Sequence, residues 1–221
     1  MLHRLKRGPI ALLAVAAFVC AAQTASAGHL SSTNQMIRIT WRELRFQGLM
    51  GIELTCPITI EGSFHARTIR KFKELEIGKI TRAVVNQTAC TGGTASFLNG
   101  VENAVNTLPW NFAFDSFTGT LPRITAIRTL IFGFSVRLRD RTLFGEADCL
   151  FMTREESIAA GSFEREAESQ ITGYTPDFTE AIDEQIIPAI NCPRSILWGG
   201  SNTRGRVTVL GSTEAIDVTL I

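Results

Sequence analysis

The chain has 221 residues, 45% of them hydrophobic, so it is long enough to bury a substantial core as one large domain or two small ones. Its 22 basic and 21 acidic residues give a formal net charge of +1. A charge so close to zero gives no global attraction to nucleic acid, which argues against nucleic-acid-binding proteins as a class.

The N-terminus has the three parts of a secretory signal peptide. A basic region, His3–Arg7, is followed by an apolar segment, Ile10–Ala22, and by Ala25–Ala27, which has the A-x-A form of a signal-peptidase site. We therefore expect cleavage after Ala27, so that Gly28–Ile221 is the mature protein, secreted and extracellular. Removal takes three basic and no acidic residues, which lowers the formal net charge from +1 to −2.

A lipid anchor on Cys20 is the alternative interpretation of this segment. Lipoprotein signals carry a small residue just before the cysteine, whereas Phe18 and Val19 are large. We therefore favour cleavage of the whole signal peptide after Ala27. No later segment approaches the roughly 20 apolar residues of a membrane-spanning helix. We therefore expect no transmembrane segment in the mature chain.

Four cysteines remain after the predicted cleavage: Cys56, Cys90, Cys149 and Cys192. An even number in an exported chain predicts two disulfides, for which three pairings are open. We favour Cys56–Cys90 and Cys149–Cys192, because each bond closes a local half of the chain. Zinc is the alternative, but the cysteines are scattered singly and form no C-x-x-C pair.

Alternation of apolar and polar residues predicts strands along most of the mature chain. The pattern is cleanest at Ile52–Phe64, where Cys56 lies on the inward face. Pro57 cannot donate a ladder hydrogen bond, so this strand lies at an edge or is bulged there. Further strands are predicted at Met36–Phe46, Gly78–Val85, Ile124–Asp140, Glu146–Thr153, Arg194–Trp198, Gly205–Leu210 and Ala215–Ile221.

The stretch LPWNFAFDSFTGTLP is the most aromatic part of the chain. Trp110, Phe112 and Phe114 alternate with small or polar residues, which predicts a strand with one buried face. Phe117 has the opposite parity, so we expect a bulge near Asp115 that returns its ring to the core side. These rings either form packed core or line a cavity for a small apolar ligand, and solid packing is the default.

Three segments are predicted to differ from the strands. Gly28–Gln35 is polar and reads as a loose arm. His65–Glu76 is a basic run, which is either a patch for anionic polysaccharide or a membrane surface, or a solvated hairpin arm; we favour the arm. Asp177 and the four-residue spacing of Phe178, Ile182, Ile186 and Ile190 favour a short helix before Pro188, with two polar edge strands around Gly173 as the alternative.

Strand, turn and strand recur without alternating helices, so the sequence predicts an all-β fold in a single domain, residues 28–221. We expect an antiparallel β-sandwich, or a barrel-like variant of it, held by two disulfides.

Several sequence segments together resemble those of a known group. They are LTCPITIEGSF, IGKIT, the Cys90–Gly93 turn, LPWNFAFDSFTGTLP and a Cys-Pro pair near the C-terminus. With the signal peptide and the closing strand, they resemble uncharacterised secreted, four-cysteine, β-rich proteins of soil actinobacteria over most of the mature chain. The resemblance implies a bacterial β-sandwich with strands near Ile182–Ile190, and it implies no activity.

The mature sequence offers few residues for catalysis. His29 and His65 are its only histidines, and neither position predicts the buried, oriented imidazole of a Ser-His-Asp or Cys-His site. A hydrolase with paired carboxylates stays open, with Asp115 and either Asp148 or Glu146 as candidates.

Sugar-binding platforms would require exposed aromatic rings. Trp41, Trp110 and Trp198 lie in core-facing patterns, which leaves Tyr174, beside Gly173 in a predicted turn, as the one exposed ring. We therefore predict a secreted, non-enzymatic structural or binding protein of the cell envelope or extracellular space, with a glycan or protein partner and no cofactor. A polysaccharide-acting hydrolase and a small apolar-ligand carrier are the alternatives.

Overall fold

The computed structural model describes residues 29–48, 53–120, 123–142, 145–153, 159–165, 170–177, 181–183, 192–199 and 203–220. These residues form sixteen strands and a turn of 3₁₀ helix at Gln87–Ala89. The strands are β1 (His29–Ser32), β2 (Met36–Gly48), β3 (Glu53–Phe64), β4 (Thr68–Arg70), β5 (Glu76–Val85), β6 (Thr94–Phe97), β7 (Trp110–Thr120), β8 (Arg123–Phe132), β9 (Ser135–Thr142), β10 (Gly145–Met152), β11 (Ala159–Arg165), β12 (Gln170–Pro176), β13 (Ala181–Asp183), β14 (Ser195–Trp198), β15 (Gly205–Val209) and β16 (Ile216–Leu220). Within the described ranges, no helix is long and apolar enough to cross a membrane.

Eight of the strands close into an antiparallel barrel. Their order is β2-β3-β5-β7-β8-β11-β12-β15, and β15 pairs back onto β2. Strands β16, β1 and β4 extend the sheet from β12, and β14 and β13 extend it from β2. The predicted all-β antiparallel architecture is confirmed, in its barrel-like form. Closure pairs both sides of every barrel strand, so none of the eight is left as a free edge.

A second sheet of three strands, in the order β10-β9-β6, packs against the barrel and shares its core. Aromatic rings make the connection. Phe97 of β6 lies edge-on to Trp110 at 5.3 Å between ring centroids, and Phe134 lies 4.9 Å from both Trp110 and Trp198. The two sheets are therefore held together by one continuous apolar cluster.

Both predicted disulfides are confirmed. Cys56 of β3 bonds to Cys90, just after the 3₁₀ turn, and Cys149 of β10 bonds to Cys192, which precedes β14. The first bond ties a barrel strand to the loop that leads into the second sheet. The second bond ties the second sheet to the β14 extension of the barrel.

Both predicted bulges are also present. The register of β7 against β8 shifts between Phe114 and Ser116, which leaves Asp115 as the extra residue. The register of β2 against β3 also shifts: Trp41 pairs with Ile58 and Leu44 with Cys56, so Arg42 and Glu43 of β2 oppose Pro57 alone. The extra residue therefore lies on β2, and Pro57 lies opposite this bulge in an interior strand, where its missing N–H is tolerated.

Three predictions about segments are corrected. The stretch predicted as a loose arm contains β1, which pairs with β16 and β4. The long strand predicted for Ile124–Asp140 is two strands, β8 and β9, because the chain turns at Gly133, whose φ is 79°. Gly173 lies in β12, a barrel strand that is paired on both sides and is not an edge strand.

The predicted helix near Pro188 is wrong at residues 181–183, which form β13 and pair with β14. Pairing with an available strand outweighs a four-residue apolar spacing, since local periodicity is a weak guide in a short segment. The rest of that prediction, at residues 178–180 and 184–190, and the predicted signal peptide, at residues 1–27, lie outside the described residues.

Candidate functional site

The candidate catalytic carboxylates lie in separate ion networks. Asp115 accepts a hydrogen bond from Arg128 at the β7 bulge in the barrel wall. Asp148, on β10 of the second sheet, accepts hydrogen bonds from Arg137 at 2.6 Å to each carboxylate oxygen. The hydrogen bonds from Arg137 hold the pKa of Asp148 below its usual range. Glu146 lines the same open depression as Asp148, and Asp115 does not line it.

A paired-carboxylate mechanism needs one carboxylic acid that keeps its proton near neutral pH beside an ionised partner. At Asp148, arginine pairing has the opposite effect, because it stabilises the ionised form of that carboxylate. The observed contacts of Asp115 and Asp148 are those of structural ion pairs and lend no support to hydrolysis. Among the described residues, no group of three His, Cys, Asp or Glu side chains is arranged to hold a metal ion.

The aromatic strand contributes packed core. Trp110, Phe112 and Phe114 are buried, and Phe117 is half-buried against the same cluster. The barrel interior beside Phe112 holds a void of about 10 Å³. This volume is at the limit for one water molecule and far below that of a small-molecule pocket. The void beside Phe112 therefore has no room for an apolar ligand.

The prediction that Tyr174 is exposed is wrong, since only 1% of its surface is accessible. Its ring lies edge-on to Phe163 and Trp41, at 4.8 and 5.9 Å between centroids, and its hydroxyl lies 3.3 Å from Thr129 Oγ1. A Cβ on Gly161 would lie 2.4 Å from that hydroxyl, so Gly161 leaves the room that the ring needs. The three tryptophans are buried, as their patterns predicted.

The outer face of β2 and β15 carries a broad groove, which we call the arginine groove. Four arginines line it: Arg38 and Arg42 of β2, Arg206 of β15, and Arg204, which directly precedes β15. The groove encloses about 730 Å³ and is lined by Arg38, Thr40, Arg42, Glu43, Arg204, Arg206, Thr208, Ser212 and Thr213.

Strand geometry explains why these side chains converge. On β2, Ile37, Ile39 and Trp41 point into the barrel, so the residues between them point outward. Antiparallel pairing then places Thr40 opposite Arg206 and Arg38 opposite Thr208. Two outward rows of arginine and threonine thus lie side by side, although the residues are more than 160 positions apart in the chain.

Two of the four guanidinium groups are held by carboxylates. Arg38 donates to Glu61 at 2.9 Å, and Arg204 donates to Glu164 at 2.9 Å. Arg204 also donates to Thr172 at 2.8 Å. A Cβ on Gly173 would lie 2.1 Å from Arg204 Nε, so the absence of a side chain there leaves space for the guanidinium. These partners fix the orientation of the two arginines before any ligand arrives.

The other two guanidinium groups are exposed to solvent. Among the described residues, Arg42 has no ion-pair or hydrogen-bond partner, and Arg206 has only a 3.5 Å contact to the carbonyl of Thr213. Glu61 is shared by Arg38 and Arg82, at 2.9 and 3.1 Å. The groove and its partners therefore contain more guanidinium groups than carboxylates.

The chemistry of this surface is suited to oxyanions. Guanidinium groups present planar donor pairs that match carboxylate, sulfate and phosphate oxygens, and flanking threonine hydroxyls add further donors. The groove is not evident from the sequence, because its residues come from β2 and β15, which lie far apart in the chain. The available signal was the i, i+2 spacing of basic and hydroxyl residues in Arg38–Arg42 and again in Arg204–Thr208.

Comparison with known proteins finds no match to this chain among protein-family models, curated proteins or solved structures.

Proposed function

We propose that this protein is a secreted binding protein of the cell envelope or extracellular space, whose arginine groove binds a polysaccharide that carries carboxylate or sulfate groups. The observation that carries the proposal is the pair of solvent-facing guanidinium groups, Arg42 and Arg206, beside two arginines held in place by carboxylates. Arg38 and Arg204 are already ordered by their carboxylates, so Arg42 and Arg206 are the arginines of the groove that lose side-chain freedom when an anion binds.

A polysaccharide fits this groove better than nucleic acid does. The described aromatic side chains of the groove region face inward, so no ring is available for stacking bases. The exposed hydroxyls of Thr40 and Thr213 instead offer hydrogen bonds to sugar hydroxyls. The groove is open to solvent, which suits a polymer that passes across the barrel wall.

Two disulfides are typical of proteins that mature in an oxidising compartment outside the cytosol. Secretion through the signal peptide predicted at residues 1–27 would deliver the chain to such a compartment. We also propose a bacterial origin for the protein, because its sequence segments resemble those of secreted actinobacterial proteins.

The test is titration of the purified, disulfide-bonded protein with polygalacturonate, with heparin and with neutral dextran, at several salt concentrations. We expect binding to one or both anionic polymers, no binding to dextran, and a loss of affinity as salt rises. The double variant Arg42→Gln/Arg206→Gln should bind about tenfold more weakly, because two charge-assisted contacts to the polymer are removed.

Arg194→Gln is the matched control, since Arg194 is exposed but does not line the groove. Its affinity should equal that of the wild type. Equal binding of dextran and the anionic polymers, or unchanged affinity of the double variant, would contradict the proposal.

A further inference from the structure

The loop between β4 and β5 exposes the most prominent aromatic ring on the described surface. We call Arg70–Leu75 the aromatic tip. Phe72 is 66% exposed and lies between Lys71 and Lys73, while Leu75 is 38% exposed. A single exposed apolar residue is ordinary, but a phenyl ring flanked by two cations and accompanied by a leucine is a distinct surface.

The aromatic tip is held against the barrel by backbone hydrogen bonds. The Glu74 amide donates to the carbonyl of Phe114 at 2.7 Å, and the Phe114 amide donates to the carbonyl of Leu75 at 3.0 Å. Within the tip, the Leu75 amide donates to the carbonyl of Phe72 at 3.1 Å. The ring of Phe72 is therefore presented outward by a fixed turn.

Its underside is also packed. Ile69, just before the tip, is buried, and Lys71 Nζ lies 5.5 Å above the ring centroid of Phe117, a favourable cation–π geometry. The tip thus rests on Phe117 of β7, while Phe72 points away from the core. Phe72 adds nothing to the packing that these neighbours already provide.

Cations predominate around the ring. Arg67 and Arg70 are exposed, and neither side chain has an ion-pair partner in the described part of the chain. Of the nearby acidic side chains, Glu76 is engaged by His65 at 2.7 Å, whereas Glu74 and Asp115 lie 4.0 and 3.9 Å from Lys73. The surface around Phe72 is therefore positive, with four basic side chains within seven residues.

We propose that the aromatic tip binds an anionic lipid surface, with Phe72 inserted at the level of the headgroups and the basic side chains in contact with them. A lipid surface satisfies both features of the tip at once, since cations are drawn to anionic headgroups and an aromatic ring leaves water at the interface. A hydrated polyanion would attract the cations equally but leave Phe72 in water. The tip and the arginine groove lie on different elements, so this inference goes beyond the proposed function and does not depend on it.

Fluorescence tests insertion directly. The three native tryptophans are buried, so their emission reports little on the surface. Phe72→Trp places a new indole at the tip, and Val101→Trp places one at the 89% exposed position of another loop. With vesicles of phosphatidylcholine and phosphatidylglycerol, Phe72→Trp should show a blue shift, and Val101→Trp should show none. Neither variant should shift with phosphatidylcholine alone.

Vesicle flotation of the otherwise native chain provides the affinity measurement. Arg70→Gln should weaken binding about fivefold, which is the contribution of one basic side chain near an anionic membrane to the affinity. Arg194→Gln should leave the affinity unchanged. Phe72→Ser should also weaken binding. Absence of binding to anionic vesicles, or equal shifts for the two tryptophan variants, would overturn the proposal. Loss of binding in Arg70→Gln but full binding in Phe72→Ser would overturn it too, because the tip would then be a purely electrostatic contact.

Discussion

Tyr174 shows at the residue scale how distant parts of the chain decide the environment of one side chain. Gly161 on the neighbouring strand leaves space for its ring, and Trp41 and Phe163 cover the ring on two sides. These contacts come from two other strands, β11 and β2. The sequence around Tyr174, with a glycine before it and a proline soon after, is typical of a turn and says nothing about these neighbours.

Burial raises the pKa of Tyr174 above its usual range, because ionisation would place a charge in the barrel interior. In the unfolded chain, the same group titrates at about pH 10. The folded state therefore retains the proton where the unfolded state loses it, and stability should fall as the pH rises above about 10.

Tyr174 is the only tyrosine, so the near-ultraviolet absorbance of tyrosinate reports this residue alone. We expect tyrosinate to appear only when circular dichroism shows unfolding. Titration of a folded protein with an ordinary tyrosine pKa would contradict the burial of the ring.

At the scale of the element, β7 combines a predictable pattern with an unpredictable partner. The parity change between Phe114 and Phe117 indicates the bulge at Asp115 from the sequence alone. Only the fold places Arg128 of β8 against that bulge, where Arg128 also donates to Asp177 at 3.1 Å. The arginine is thus held between two carboxylates at a point where the β7–β8 ladder is interrupted.

Replacing Asp115 should destabilise this junction. Asp115→Ala removes one partner of a guanidinium that is mostly buried, and the remaining bond to Asp177 limits the loss. We expect the free energy of unfolding to fall by about 1–3 kcal/mol. Ser116→Ala is the matched control: Ser116 is exposed and donates to the same carboxylate at 3.2 Å, so the change removes an exposed hydrogen bond, keeps the ion pair and should cost less stability than Asp115→Ala. Chemical denaturation measures both, and equal stability of Asp115→Ala and wild type would contradict a structural role for the pair.

At the scale of the whole molecule, the closed barrel and the second sheet share one core, and two disulfides cross their junctions. Cys56–Cys90 spans 34 positions in the sequence and Cys149–Cys192 spans 43. Loop-closure entropy grows only with the logarithm of loop length, so the two bonds should contribute almost equally.

Removing either bond should lower the free energy of unfolding by about 4 kcal/mol in the chain-entropy treatment. The double variants Cys56→Ala/Cys90→Ala and Cys149→Ala/Cys192→Ala provide the comparison, measured by urea denaturation without reductant. Their losses should agree to within about 1 kcal/mol. A much larger loss in one of them would show that packing around that bond, and not loop closure, dominates its contribution.

The sequence alone predicts the strands with a clear two-residue period, the irregularities at Asp115 and Pro57, and the favoured cysteine pairing. These features are local: side-chain alternation follows from the extended backbone, a proline lacks its own N–H, and short loops favour nearby partners. The prediction failed at His29–Ser32 and at residues 181–183, where a short segment becomes a strand because an unpaired strand lies beside it.

Long-range strand pairing closes the sheet into a barrel, buries Tyr174 and brings Arg38 and Arg42 beside Arg204 and Arg206. Each of these depends on which strands pair and in which register, and a shift of one residue would turn the same side chains to the opposite face. The arginine groove exists because β15 pairs with β2 in the register that places Arg206 opposite Thr40. Pairing between strands so far apart in the chain depends on the whole set of contacts, and no short stretch of sequence contains that information.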